Sequence, residues 1–128
     1  MGTLILSISG LIGIFILNIV VGLFLGFGKR HYWFFELEHF LGGFFVAMFF
    51  ANFTDSTRLI LLGVAVVSAV WESAEYLVAK IPRVSEYLKM ASHQRSVMPE
   101  WKDTVLDIIL NFAGAFVFFW VMGNFLAG

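Results

Sequence analysis

The sequence predicts an all-α polytopic membrane protein, a bundle of four transmembrane helices with a short cytoplasmic interfacial helix between spans three and four. Two observations lead to this fold class. Of the 128 residues, 60% are hydrophobic and 13% are charged, whereas soluble domains are about half apolar and about a quarter charged. Four apolar stretches are also long enough to cross a bilayer, which takes roughly 20 residues each.

The predicted spans cover about residues 3–27, 33–53, 58–79 and 101–125 of one transmembrane domain, residues 1–128. The first span contains no charged residue. A signal peptide is the alternative for this segment, but it lacks a basic n-region, its apolar core is too long, and no small-residue cleavage site follows. We therefore expect the first span to be retained.

The connections between the spans complete the predicted architecture. Residues 52–57 form a short loop, which makes spans two and three an antiparallel hairpin. The long connection before span four is bracketed by Pro82 and Pro99. Between these prolines, apolar residues such as Val84 and Leu88 recur at helical spacing, which predicts a short amphipathic helix on the cytoplasmic interface.

Basic residues set the expected orientation. Seven of the eight lie at one side of the predicted spans: Lys29, Arg30, Lys80, Arg83, Lys89, Arg95 and Lys102. Only Arg58 lies at the opposite side. Because cytoplasmic loops carry an excess of Lys and Arg, we expect the first side to be cytoplasmic and both termini to be outside. The predicted location is the cell (inner) membrane, crossed several times.

Composition also limits the partners and the chemistry. The net charge of −1 does not bear on nucleic acid as a partner, and no basic stripe in the sequence supports one. The chain has no cysteine, which excludes disulfide, zinc-thiolate and thiol chemistry. The expected partner is the lipid bilayer, and a homo-oligomer or a larger membrane complex remains open. Rows of small residues, such as Gly43, Ala47 and Ala51, favour close helix packing within the bundle over dimerisation.

Polar residues inside three of the spans share helix faces, because they are spaced three or four residues apart. They are Glu36 and His39 in span two, Glu72 and Glu75 in span three, and Asp103, Asp107 and Asn111 in span four. Spans two and four enter from the predicted cytoplasmic side and span three leaves there. At about 1.5 Å of rise per residue, the charged members lie at one depth, just inside the cytoplasmic interface.

Such a cluster predicts a cation site. Five carboxylates without basic partners in the spans must take up protons or bind cations. Carboxylates with one imidazole suit a divalent metal such as Mg²⁺, Mn²⁺, Fe²⁺ or Zn²⁺. The Glu-x-x-His element also occurs in di-metal four-helix bundles, so two ions are possible. The predicted ligands are Glu36, His39, Glu72, Glu75, Asp103 and Asp107.

Structural explanations of these polar residues remain open. Asp103 in the first turn of span four is favoured by the helix dipole alone. Polar groups also join helices or anchor span ends at the interface. Glu38 points away from the shared face, toward another helix, the headgroups or a loop cation. The lone amides Asn18 and Asn124 are expected to form interhelical hydrogen bonds, while His31 and His93 are expected at the interface.

Three sequence blocks resemble the VanZ-like small bacterial membrane proteins and related families. The blocks are FELEHFLGGFF, AVWESAEYLV and WKDTVLDIILNFAGAFVFFW, and the resemblance covers spans two to four, about three quarters of the chain. The resemblance matches Glu36 and His39, then Glu72 and Glu75, then Asp103, Asp107, Asn111 and Gly114. The chain departs from the family pattern at two places. Glu75 stands where Gln is more usual, and Glu36-Leu37 stands where the family often has Asp and a basic residue. The resemblance implies a small inner-membrane protein with a polar site between helices.

Three functions are compatible with the sequence. The first is a metal-dependent enzyme that acts on a lipid or lipid-linked substrate, with Glu72 or Glu75 as a candidate general base. The second is a proton- or cation-coupled transporter, although the outer halves of the spans offer few polar groups beyond Asn111. The third is an accessory subunit of a larger membrane complex. No Ser-His-Asp triad or phosphate-binding loop is present in the sequence.

Overall fold

A computed structural model describes residues 1–24, 31, 33–92 and 101–127. Predictions that depend on Lys29, Arg30, His93, Arg95 and Pro99, or on the side chains of Tyr87, Leu88 and Asn124, lie outside the described residues. Within these ranges the chain is helical and has no strand, which confirms the predicted all-α class.

The helices follow the predicted order. They are α1 (Gly2–Ile16), which continues as a π-helical segment (Leu17–Phe24), α2 (Trp33–Phe50), α3 (Thr57–Lys80), α4 (Pro82–Ser92) and α5 (Trp101–Ala127). Four helical stretches in the described part of the chain are long and apolar enough to cross a membrane: Gly2–Gly22, Trp33–Phe50, Thr57–Lys80 and Trp101–Gly123. The short α4 occupies the position predicted for the amphipathic helix.

Proline chemistry explains the break between α3 and α4. Ile81, between the two helices, has φ −78° and ψ 112°, which is the extended conformation that a following proline favours. Pro82 then begins α4, where its missing N–H is not needed. After this break, α4 packs against the end of α3 and against the π-helical segment after α1.

The centre of the fold is α2, which contacts α1, α3 and most extensively α5. Two glycines make the last contact close. A Cβ on Gly43 would collide with the Asn111 backbone, and a Cβ on Gly114 would collide with the Phe40 carbonyl oxygen. Small residues that let helix backbones approach are typical of membrane helices. Gly43 therefore serves packing within one chain, as its spacing predicts.

Hydrogen bonds fix the relative direction of α1 and α2. The Thr3 hydroxyl donates to Asn52 Oδ1 over 2.7 Å, and Asn52 Nδ2 donates to the Met48 carbonyl over 2.8 Å. The start of α1 thus lies beside the end of α2. The π-helical segment then lies at the opposite end, beside the start of α2, where Glu36 and His39 are found.

Large apolar side chains cover much of the outer surface. Leu62 is 59% exposed and Trp120 is 71% exposed, while the buried apolar cluster is small and contains residues such as Val64 and Phe118. A soluble monomer rarely exposes an apolar surface of this extent. The outer faces of the four long helices fit contact with lipid tails.

Candidate metal centre

Three of the predicted ligands converge from three helices. His39 of α2, Glu72 of α3 and Asp107 of α5 each offer one ligand atom, and these atoms lie within 4.8 Å of one another. They could hold a metal ion between them. The group brings together one imidazole nitrogen and two carboxylate oxygens, a mixed donor set that suits divalent ions.

The close approach of α2 and α5 brings His39 and Asp107 together. His39 lies one helical turn before Gly43, and Asp107 lies one turn before Asn111. Because Gly43 lies against the Asn111 backbone, the side chains one turn earlier meet. Nε2 of His39 is 3.5 Å from Oδ2 of Asp107. The glycine contact therefore positions one edge of the candidate metal centre.

Glu72 is the buried member of this group. Its side chain is buried, with the residue 8% exposed. Thr104 approaches the carboxylate, but within the described ranges neither oxygen has a hydrogen-bond partner of regular geometry. A buried carboxylate without partners is costly unless it takes up a proton or meets a cation. A metal held with His39 and Asp107 would supply the missing charge.

The other predicted ligands surround this group without joining it. Glu75 accepts a hydrogen bond from Trp71 Nε1 over 2.8 Å and repels Asp107 electrostatically. Glu36 and Asp103 also interact with Asp107 through like charges. All six predicted residues therefore lie in one region. Among the described residues, three of the six place a ligand atom close enough to the others to share one ion. Their role as ligands stays a prediction.

Glu38 faces another helix, which was one of its three predicted environments. Its Oε2 accepts a hydrogen bond from Asn18 Nδ2 over 2.7 Å. This contact confirms that Asn18 forms an interhelical hydrogen bond. The sequence predicts that Glu38 lies apart from the cluster but does not identify Asn18 as its partner. The available signal was the position of Asn18, a lone amide at the same end of the first span.

A cavity of about 120 Å³ lies beside the candidate metal centre. Side chains from α1, α2, α3 and α5 and from the π-helical segment line it. Its polar lining residues are Asn18, Glu38, His39, Ser68, Trp71 and Asn111, and the rest of its wall is apolar. His39 belongs both to this wall and to the convergent group. Any molecule in the cavity would therefore lie next to a metal bound there.

Comparison of the chain with protein-family models, curated proteins and solved structures found no match. The resemblance to VanZ-like proteins therefore stays a prediction from motif order and spacing.

Proposed function

We propose that the chain is a multi-pass inner-membrane protein in which His39, Glu72 and Asp107 bind one divalent metal ion at the cytoplasmic side. One observation carries the proposal. Glu72 is buried where His39 and Asp107 converge. Thr104 approaches its carboxylate, but in the part of the chain that the structure describes neither oxygen has a hydrogen-bond partner of regular geometry. A bound ion would offset the cost of this arrangement.

The donor set narrows the choice of metal. Imidazole suits zinc and iron, whereas carboxylates also suit magnesium and manganese. A site with one nitrogen and two oxygens therefore favours Mn²⁺, Fe²⁺ or Zn²⁺ over Mg²⁺. Three protein ligands leave coordination positions for water or substrate, as in catalytic metal sites. The proposed centre thus has the form of a catalytic rather than a closed structural site.

The proposed activity is hydrolysis or group transfer on a lipid or lipid-linked substrate. A divalent ion polarises a phosphoryl or carbonyl oxygen and activates a bound water. The depth of the cluster, just inside the predicted cytoplasmic interface, is the depth of lipid headgroups. Substrates at that depth reach the site by diffusion in the bilayer.

Glu75 is the preferred general base of this proposal. Glu72 contributes a ligand atom to the metal group, so its carboxylate is occupied when the ion binds. Glu75 lies outside that group and near Asp107. Its Oε1 accepts a hydrogen bond from Trp71, which holds the carboxylate in place and leaves the second oxygen for a proton. A base must lie within hydrogen-bond reach of the water that it deprotonates.

The cavity favours an enzyme over a transporter. Beside its polar residues, the cavity is lined by aliphatic residues such as Leu11, Ile14, Val46 and Val64. An ion or proton pathway needs polar groups across the bilayer, and these four residues supply none. An oligomeric or accessory role has no comparable support in the described residues.

Metal analysis of the purified protein tests the centre. We expect about one ion per chain in the wild type and in Glu86→Gln, an exposed position on α4. In Glu72→Gln and His39→Ala, metal affinity should fall by at least about 100-fold, since even the partners of metal ligands contribute 10–100-fold. Wild-type protein that takes up no metal, or variants that bind it as well as the wild type, would refute the centre.

A second measurement separates the candidate activities. Glu75→Gln should keep its metal and lose turnover of a lipid substrate. Metal-dependent ion flux in proteoliposomes without any lipid product would instead support the transporter. A single reproducible heteromeric partner in detergent, together with no turnover, would support the accessory subunit.

A further inference from the structure

The cavity beside the metal group has a size that fits part of a small ligand. Its volume is about 120 Å³. An engineered apolar cavity of about 150 Å³ holds a benzene molecule, so this one fits roughly five heavy atoms. Its lining is divided between aliphatic side chains, such as those of Ile14 and Val64, and polar ones, such as those of Asn18, Glu38 and His39. A ligand with an apolar chain and a polar end matches this division.

Glu38 determines which polar group a ligand needs in order to fit the cavity. The residue is 7% exposed and lines the cavity. One carboxylate oxygen accepts from Asn18, and the other, Oε1, lacks a hydrogen-bond partner among the residues that the structure describes. The terminal torsion of a glutamate is broad, so either oxygen can turn toward a ligand. A buried acceptor without a donor is costly, and a donor on the ligand would remove this cost.

Charge and aromatic rings favour a cationic donor. No Lys or Arg lines the cavity within the described ranges, so none of its lining residues is a basic partner for Glu38. Phe15 and Trp71 also line it, with ring centroids 6.1 Å apart and the rings edge to face. Aromatic rings and carboxylates together are a common environment for ammonium groups. An ammonium group also brings three donors, whereas a hydroxyl brings one.

We propose that this cavity binds the primary ammonium group of an amphiphilic amine, with Glu38 as its counter-ion and the aliphatic wall around the attached carbon chain. Asn18 holds the counter-ion in place. The inference rests on the proposed function in one respect, namely that the amine belongs to the substrate. Because His39 is shared by the cavity and the metal group, the bound amine lies next to the reacting centre.

Binding of n-butylammonium to the full-length protein in detergent tests the cavity. Its five heavy atoms match the volume, and its short chain keeps partition into detergent low. Calorimetric titrations compare it with 1-butanol and with butyrate, which have the same chain and a neutral or anionic end. We expect saturable binding of n-butylammonium and at least tenfold weaker binding of both others. Equal binding of butanol and butylammonium would overturn the proposal, as would no binding at all.

Two pairs of variants locate the binding. Glu38→Gln keeps an acceptor for Asn18 but removes the charge, and should weaken n-butylammonium binding by about tenfold or more. The matched change Glu86→Gln should have no effect. Val67→Phe fills the cavity that Val67 lines, whereas Val66→Phe is its neighbour outside the lining. Binding of n-butylammonium should be lost in Val67→Phe and kept in Val66→Phe. Unchanged binding in Glu38→Gln or Val67→Phe would refute the site.

The titrations are made with and without a chelator, which separates the two proposals. Ammonium binding that depends on Glu38 in a protein that takes up no metal would support the cavity and refute the metal centre. Metal uptake without ammonium binding would support the metal centre and refute the cavity.

Discussion

Gly43 of α2 lies directly against the backbone of Asn111 of α5, so closely that a Cβ at Gly43 would collide with the Asn111 carbonyl oxygen. One turn earlier on each helix, His39 and Asp107 come within 3.5 Å. The packing contact and the candidate metal centre therefore share one helix crossing. Any change that separates α2 from α5 at Gly43 also separates two proposed ligands.

Gly43→Ala should weaken both the fold and metal binding. The added methyl group cannot fit without a shift of the α5 backbone, and overpacking of this kind costs about 1–3 kcal/mol. Thermal unfolding in detergent and metal titration measure the two effects. The control is Gly13→Ala, where a Cβ would meet nothing within 4 Å. Equal stability of Gly43→Ala and Gly13→Ala would contradict the close contact.

The hydrogen bond from Asn18 to Glu38 should couple α1 to α2 energetically. Asn18→Leu leaves the buried carboxylate without its donor and should destabilise the protein by roughly 1–3 kcal/mol. The double variant Asn18→Leu/Glu38→Leu removes both polar groups. It should cost less than the sum of the single variants by about 0.6 kcal/mol or more, as found for hydrogen bonds between membrane helices. Strictly additive unfolding free energies would show that the bond contributes nothing.

Neighbouring carboxylates should affect metal affinity less than the convergent group does. Glu36 and Asp103 act on Asp107 through their charge and are absent from the group whose atoms approach within 4.8 Å. Glu36→Gln and Asp103→Asn should therefore change metal affinity by at most about fivefold, or roughly 1 kcal/mol. Metal titrations of these variants beside Glu72→Gln make the comparison. A loss as large as that of Glu72→Gln would place Glu36 or Asp103 among the ligands.

The predicted orientation can be tested with single thiols, because the chain contains no cysteine. Asp55→Cys places a thiol in the exposed turn between α2 and α3, and Glu86→Cys places one on exposed α4. In intact cells a membrane-impermeant maleimide should label Asp55→Cys only. Glu86→Cys should react after the membrane is permeabilised. The reverse pattern would mean that the positive charges do not set the orientation of this protein.

Much of the helical organisation can be predicted from local sequence. The helices Trp33–Phe50 and Thr57–Lys80 lie close to the spans expected at 33–53 and 58–79, because apolar length and turn residues are properties of each segment. The short helix Pro82–Ser92 follows from its spacing and from Pro82. The meeting of His39, Glu72 and Asp107 also agrees with the matched depth expected from counting residues along the spans.

Selection among the six candidate ligands required the tertiary structure. The helical period places Glu72 and Glu75 on one face of α3. It does not predict which of the two reaches His39 and Asp107. The crossing of α2 and α5 at Gly43 and the approach of α3 decide this, and both depend on packing between distant segments.

The sequence by itself determined that the chain forms apolar helices and that the acidic and imidazole residues of three spans lie at one end of the bundle, because both follow from length and spacing along each segment. The tertiary structure decided that Glu38 turns to Asn18 and that a cavity opens beside His39. Leu11, Ile14 and Asn18 line the same cavity, so the α-helical period of the first span places Asn18 on one face with them. The packing of the first span against α2 turns this face toward Glu38, and that packing depends on distant segments.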